Sequence, residues 1–427
     1  MANVVTRLTG DEEAGRTLRG IYSICSAHPW VLAAAMAQAL DDGTPLLVES
    51  TSNQVDQFGG YTGMRPDDFV RFVHLIADRV GLPRSRLILG GDHLGPNAWR
   101  SLPAEEAMQR AEALIDAYVS AGFTKIHLDT SMSCADDATR LSDDVVAERA
   151  SRLCAIAEAA ADREGLTARP VYVIGTEVPV PGGAAEELAT VEVTSPDAAE
   201  DTVAVHQSAW RARGLSDAWH RVIALVVQPG VEFDHTKVVD YKPELAANLS
   251  GVLETTAGLV FEAHSTDYQT PEALSALVRD GFSILKVGPG VTFALREALY
   301  ALSDIEAELF PAHRRANLPE LVERVMLSKP GNWEKYYHGD DEHKRLLRTY
   351  SYSDRIRYYW ADPEIDAAAQ KLIGNLSGVQ IPDNLLSRYL PEQYWQVRRG
   401  RIDASPMNLI QARVRDVIRT YAAACAA

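Results

Sequence analysis

Cysteine is scarce in this sequence. Cys25, Cys134, Cys154 and Cys425 are the four in 427 residues, and no two stand at C-x-x-C spacing. That argues against a disulfide framework or a thiolate metal centre and points to reduced thiols in a cytoplasmic setting. Long apolar runs are missing too: the longest clean one, Val222 to Val227, is strand-sized, against the roughly 18 residues needed to span a bilayer. Asp11, Glu12 and Glu13 fall where the apolar stretch of a secretory leader would lie. Positive charge is in deficit, with 42 Lys and Arg against 59 Asp and Glu and a net charge of −17. Nucleic acid and anionic membrane are therefore not expected partners, although a local group of Arg and backbone amides could still hold a small anion. Neither the G-x-x-x-x-G-K-[ST] phosphate loop nor the G-x-G-x-x-G dinucleotide fingerprint occurs.

What is present is an ordinary globular composition, 46% hydrophobic and 24% charged. Strand-like and helix-like segments alternate from about residue 18 to about residue 305. Eight short apolar segments, at 20–26, 44–50, 86–93, 123–129, 171–177, 221–228, 258–264 and 282–288, are each followed by a helical pattern. Segments apolar on both faces suit parallel strands buried between layers. The fold expected is α/β, a (β/α)8 TIM barrel over residues 1–310, with an open doubly wound sheet as the alternative. Residues 311–427 read as an α-helical extension, rich in Trp and Tyr, packed on the barrel or at an oligomer interface.

In such a barrel the C-terminal strand ends converge on one mouth, so residues distant in sequence meet there. The third segment ends in L-I-L-G-G-D-H-L-G-P-N, with Asp92 and His93 side by side. His93, His235 and His264 follow the third, sixth and seventh strands, and three imidazoles with an open position make a catalytic zinc site, or one for another divalent metal. Glu177, ending the fifth strand, is a further candidate ligand and acid. Asp92 is the candidate to move a proton of a metal-bound alcohol, with Asp129 beside it; the alternative is that Asp92 only orients a ligand. His127 shares a strand face with Asp129 but reads more simply as a satisfied core histidine. Candidate substrate contacts are Ser50, Ser52 and Asn53 after the second strand and Lys286 on the eighth. Ser265 and the run Gly288, Gly290, Thr292 before a helix could hold a phosphate, or could be plain turn chemistry. Arg355 and Arg357 offer a second anion clamp or an exposed helix face.

The runs S-A-H-P-W at 26–30, E-S-T-S-N-Q-V-D-Q-F-G-G-Y-T-G at 49–63, G-G-D-H-L-G-P-N at 90–97, T-E-V-P-V-P-G-G at 176–183, F-E-A-H-S-T-D at 261–267 and S-Y-S-D-R-I-R-Y-Y-W at 351–360 resemble the GatZ/KbaZ-like family over nearly the whole chain. Its members are named as non-catalytic subunits of class II tagatose-1,6-bisphosphate aldolase, or by an older name as tagatose-6-phosphate kinases. The resemblance implies a sugar-phosphate ligand and carbohydrate metabolism. It also implies a class II aldolase catalytic subunit, or further copies of the chain, as partners. Class II aldolases carry an Asp-His pair after the third strand, with the His on zinc and the Asp on the C4 hydroxyl. Asp92-His93, His235 and His264-Ser265 are similar in order. Some relatives are ketohexose 4-epimerases. The resemblance therefore implies a metal-dependent isomerase converting tagatose 6-phosphate to fructose 6-phosphate by retro-aldol and aldol steps. The alternatives are a stabilising subunit or an aldolase in its own right.

Overall fold

The structure is a computed structural model that describes residues 4–176, 191–256 and 258–426. Eight parallel strands form: β1 Ile21–Ile24, β2 Leu46–Thr51, β3 Leu87–Leu94, β4 Lys125–Leu128, β5 Val171–Ile174, β6 Val222–Val227, β7 Val260–Ala263 and β8 Ile284–Val287. They close in the order β1-β8-β7-β6-β5-β4-β3-β2, with Ile21 opposite Ile284 and Ile24 opposite Val287 at the seam. The expected (β/α)8 barrel is the observed fold. The helices that follow β1, β2, β6, β7 and β8 each begin on a proline, at Pro29, Pro66, Pro243, Pro271 and Pro289. A first-turn N–H has no partner inside a helix, so proline loses nothing there.

Side chains alternate across a strand, so residues two apart share a face. On the inner face the lowest residues are Ile21, Leu47, Ile88, Val173, Val260 and Ile284, which pack as one buried apolar cluster. The helix Val4–Thr9 plugs the barrel below them: Val4 and Val5 join the cluster, and Arg7 donates to the carbonyls of Gly258, His220 and Val222. Two residues further along the strands the inner face turns polar, with Ser23, Glu49, Glu262 and Lys286 joined by Lys125, all buried. This change of character within one barrel interior places the chemistry at the strand C-termini.

After the helix Pro289–Leu309 the chain continues through short helices to the long final helix Pro406–Cys425. That helix lies against the barrel helices Pro29–Asp42, Pro271–Arg279 and Pro289–Leu309. Tyr421 donates its hydroxyl proton to the Thr266 carbonyl just past β7, at 2.7 Å. No helix among the described residues is long and apolar enough to cross a membrane.

One core histidine makes stability pH-dependent. His206, on the helix Pro196–Ala212, is fully buried, and its Nδ1–H donates to the Thr202 carbonyl at 2.8 Å. Burial lowers its pKa from 6.5 to about 4. The folded state thus binds fewer protons than the unfolded chain, and stability falls as pH drops from about 6.5 towards about 4. His206→Leu is expected to improve stability at pH 4.5 by roughly 2 kcal/mol and to change it by under roughly 1 kcal/mol at pH 7.5. Urea titrations at both pH values check this; an equal loss in both proteins on acidification would contradict it.

Candidate active site

The floor of the site is a buried lattice of ions. Lys125 Nζ lies 2.7 Å from Glu49 Oε1 and 2.7 Å from Glu262 Oε2. Lys286 Nζ contacts Glu49 Oε2, lies 2.9 Å from Asp92 Oδ1, and is 3.7 Å from Glu262 Oε1. Gly90 makes room for this lattice, since a Cβ there would sit 2.6 Å from Glu49 Oε1. Burial would drive the Lys286 ammonium towards neutrality, but Asp92, Glu49 and Glu262 outweigh it and hold its pKa well above the ordinary lysine value. Lys286 is therefore a fixed cation and not a free amine nucleophile. Burial likewise opposes ionisation of Glu262 and Asp92, and the lysines reverse it, so both carboxyls titrate well below the usual range.

Above the lattice three imidazoles meet. The His93 ring lies 5.3 Å from the His127 ring and 4.8 Å from the His264 ring, centroid to centroid. His93 adopts φ 49°, a left-handed conformation that is strained for a residue with a Cβ. Ser52 Oγ donates to the His93 carbonyl at 3.0 Å and Asp129 Oδ2 takes His93 Nδ1 at 2.7 Å, so the strained residue is held from both ends. Burial lowers the His93 pKa, and Asp92 and Asp129 more than restore it, leaving it raised. The Asp129 carboxyl is held below its ordinary range: burial raises it, and the bond to His93 reverses this.

Asp92, His127, Glu262 and His264, all buried, bring one ligand atom each within 4.8 Å of one another, a set that could hold a metal ion. His127 Nδ1 accepts from the His93 N–H at 3.2 Å and lies 3.0 Å from Asp92 Oδ1, and its buried Nε2 has no hydrogen-bond partner among the described residues. In the tautomer that gives Nδ1–H to Asp92, Nε2 carries a lone pair, the arrangement in which a carboxylate orients a metal-binding imidazole; in the tautomer that accepts the His93 N–H, Nε2 carries the proton. Burial lowers the His264 pKa to about 4, so that ring is neutral and also able to ligate. Four carboxylates (Glu49, Asp92, Asp129, Glu262) face two lysines and His93, whose raised pKa favours its cationic form, and the remaining negative charge is one that a divalent ion would offset. The donor set fits such an ion.

The site opens into a cleft. Asp92, His93, His264 and Lys286 line its inner end; Asn53, Ser265, Asp267 and Gly288 line its walls; Tyr61, Arg357 and Tyr358 form its roof. The Tyr61 and Tyr358 rings meet edge to face at 4.8 Å, which ties the loop after β2 to the extension. Arg357 donates to the Ser353 carbonyl and to Tyr358 Oη at 2.9 Å and makes no carboxylate ion pair among the described residues.

The expected residues separate into groups. Asp92, His93, His264, Asn53, Ser265, Lys286, Gly288 and Arg357 meet in one cleft, and Asp129 backs His93. His235 does not join the other histidines. After β6 the chain runs into a hairpin, Glu232–Phe233 with Val238–Val239, which carries His235 to its turn. There its Nε2 bonds the Tyr336 carbonyl at 3.0 Å and its Nδ1 lies 3.2 Å from Ser351 Oγ, so it fastens the extension to the barrel. His127, read as a core residue, takes the place expected for it. Arg355 turns the other way from Arg357, donating to the Asn332 carbonyl with its guanidinium 3.4 Å from the Tyr336 ring centre. Ser50 pairs with the Tyr118 hydroxyl at 3.0 Å, outside the cleft lining.

The phosphate site expected at Gly288, Gly290 and Thr292 is already filled. The Gly288 and Gly290 N–H groups donate to Asp267 Oδ1 at 3.0 and 2.7 Å, and Thr292 Oγ1 donates to Asp354 Oδ2 at 2.6 Å. Glu177 lies outside the described residues. Lys125 and Glu262 were not read from the sequence. Their signal was there, since each stands two residues before a histidine of the cluster, on the same strand face.

A model of the D-tagatose-1,6-bisphosphate aldolase subunit GatZ/KbaZ-like family matches residues 5–426. The chain belongs to the GatZ/KbaZ-like family. It is thus a tagatose-bisphosphate aldolase-related protein with an enzyme-associated role. A crystal structure described as a probable tagatose 6 phosphate kinase from Sinorhizobium meliloti 1021 is 54% identical, with a TM-score of 0.89, over 95% of this chain and 100% of that one. A fructose-bisphosphate aldolase from Campylobacter jejuni is 15% identical, with a TM-score of 0.42, over 84% of this chain and 88% of that one.

Proposed function

We propose that this GatZ/KbaZ-like chain is itself an enzyme, a ketohexose-phosphate 4-epimerase that converts tagatose 6-phosphate to fructose 6-phosphate. The observation that carries the reading is a single cleft lined by ionised Asp92, by His93 of the Asp129–His93 pair and by the half-buried Arg357 guanidinium. Its polar lining with one guanidinium suits a polyhydroxy ketone with one anionic end. Arg357 takes the phosphate, because a half-buried guanidinium with no carboxylate ion pair among the described residues is a ready anion site. Asp92 accepts the proton of the C4 hydroxyl as the C3–C4 bond breaks, the bond's electron pair passing to C3 and the C2 carbonyl. The aldehyde half turns its other face, the bond re-forms, and Asp92 returns the proton with C4 inverted. His93, oriented by Asp129, relays protons at the same oxygen. A divalent ion, zinc or another, held by Asp92, His127, Glu262 and His264, would polarise the ketone and offset the negative charge that develops there.

A protein that only steadied a separate aldolase subunit would gain nothing from a buried ion lattice opening to solvent. That second role is separated from the first by one experiment. The purified chain with zinc and tagatose 6-phosphate in D2O is followed by NMR. Fructose 6-phosphate without deuterium at C4 is the expected product, because a C–C bond and not a C–H bond is broken. Deuterium at C4 would rule out the retro-aldol route. No turnover, with activation of an added class II aldolase, would leave only the subunit role. Dialysis against a chelator is expected to abolish turnover and lower the melting temperature. His127→Ala is expected to lose the bound metal, measured by elemental analysis. A full metal complement in that variant would remove His127 from the ligand set.

A further inference from the structure

Barrels of this kind hold phosphate groups on the loops after the last two strands, where backbone amides and a helix N-terminus point at the anion. In this chain that position is built in the same way. β8 runs into Gly288-Pro289-Gly290, and the helix Pro289–Leu309 starts there. The amides are not free, however. Both Gly288 and Gly290 donate to one oxygen of Asp267, which comes from the loop after β7. Gly290 is shaped around that carboxylate, since a Cβ there would lie 3.0 Å from Asp267 Oδ1. Thr292, the next donor in the turn, is held by Asp354. Asp267 is almost fully buried, yet it lines the cleft.

We propose that Asp267 is a permanent internal occupant of the barrel's phosphate nest and a specificity-determining residue. It limits the cleft to ligands with one anionic group, held by Arg357, and refuses a second phosphate at the turn after β8. This rests on the ketose-phosphate reading above and sharpens it. A ketohexose monophosphate is taken, and a ketohexose 1,6-bisphosphate is turned away. Two effects act together. The amides that would hold the second phosphate are already used, and the carboxylate would face it with like charge.

The test is binding, so it does not depend on turnover. Titration calorimetry of the full chain with fructose 6-phosphate and with fructose 1,6-bisphosphate is expected to show the bisphosphate at least about tenfold weaker, about 1.4 kcal/mol. Asp267→Ala is expected to reverse that order while changing monophosphate affinity less than about threefold, less than about 0.7 kcal/mol. Inorganic phosphate alone, followed by 31P NMR, is expected to gain one site in Asp267→Ala over the wild type. Asp267→Asn keeps an acceptor for both amides and serves if the alanine variant does not fold; its bisphosphate affinity is expected to rise severalfold from loss of charge alone. Equal or tighter bisphosphate binding by the wild type would overturn the proposal, as would an unchanged mono-to-bisphosphate ratio in Asp267→Asn. If the chain fails to epimerise but shows the expected ratios, the epimerase reading fails and the role of Asp267 stands.

Discussion

Asp92→Asn is expected to lower kcat for tagatose 6-phosphate by about 10²- to 10⁴-fold, the range for loss of a positioned proton acceptor, with little change in KM. The side chain is nearly isosteric, and the groups around it keep other partners. Lys286 retains Glu49 and Glu262, and His127 can still donate to an amide oxygen where it now meets Asp92 Oδ1. What is lost is the basic oxygen. Its ionised state does not come from exposure to water, because burial works against it; it comes chiefly from Lys286 and His93. Steady-state kinetics by NMR, with metal content measured on the same sample, separates the two roles assigned to this residue. A normal metal content with turnover lost identifies the proton transfer. Full turnover in Asp92→Asn would sink the assignment and shift the task to His93.

The second large effect concerns the lattice beneath the cleft. Lys125→Met is expected to cost about 3–5 kcal/mol of folding free energy, the usual loss when one partner of a buried ion pair is removed. Lys125 is fully buried and neutralises Glu49 and Glu262 together, so its removal strands negative charge in the barrel interior. The double variant Lys125→Met with Glu262→Gln is expected to recover a good part of the loss, because neutral groups of similar size replace both ions. Urea denaturation of wild type, single and double variants forms the cycle. A single-variant loss under about 1 kcal/mol would mean that the lattice is hydrated and screened like a surface pair.

The barrel was legible because its signal is local. Each strand is a short apolar run bounded by turn residues, and the repetition of strand and helix leaves few topologies. The Asp92-His93 pair was legible for the same reason: both residues stand at the very end of a strand, where position along the chain gives position in space. His235 was misplaced because that rule holds only for strand ends, and it lies eight residues beyond Val227, at the turn of a hairpin that redirects the chain. The arginines of the extension failed on a finer scale. Arg355 and Arg357 are two apart in a 3-10 turn, so they leave the backbone on different sides, one to Tyr336 and one to the cleft. The phosphate nest was misread for want of a long-range partner. The glycines announce free amides, and nothing nearby announces that a carboxylate 21 residues before Gly288 takes them.

The roof of the cleft has a consequence for how this protein changes over evolutionary time. The reacting end is built from β1 to β8, whereas Arg357 and Tyr358 are supplied from beyond the last barrel helix. The part of recognition that Arg357 supplies is thus written in a different stretch of the gene from the chemistry. Exchange or drift in the segment around residue 357 can retune which sugar is admitted without disturbing the ion lattice, whose members constrain one another. Descendants of such a barrel are expected to differ first in the extension. A library randomised there, with the barrel left intact, is the economical place to seek variants with altered substrates.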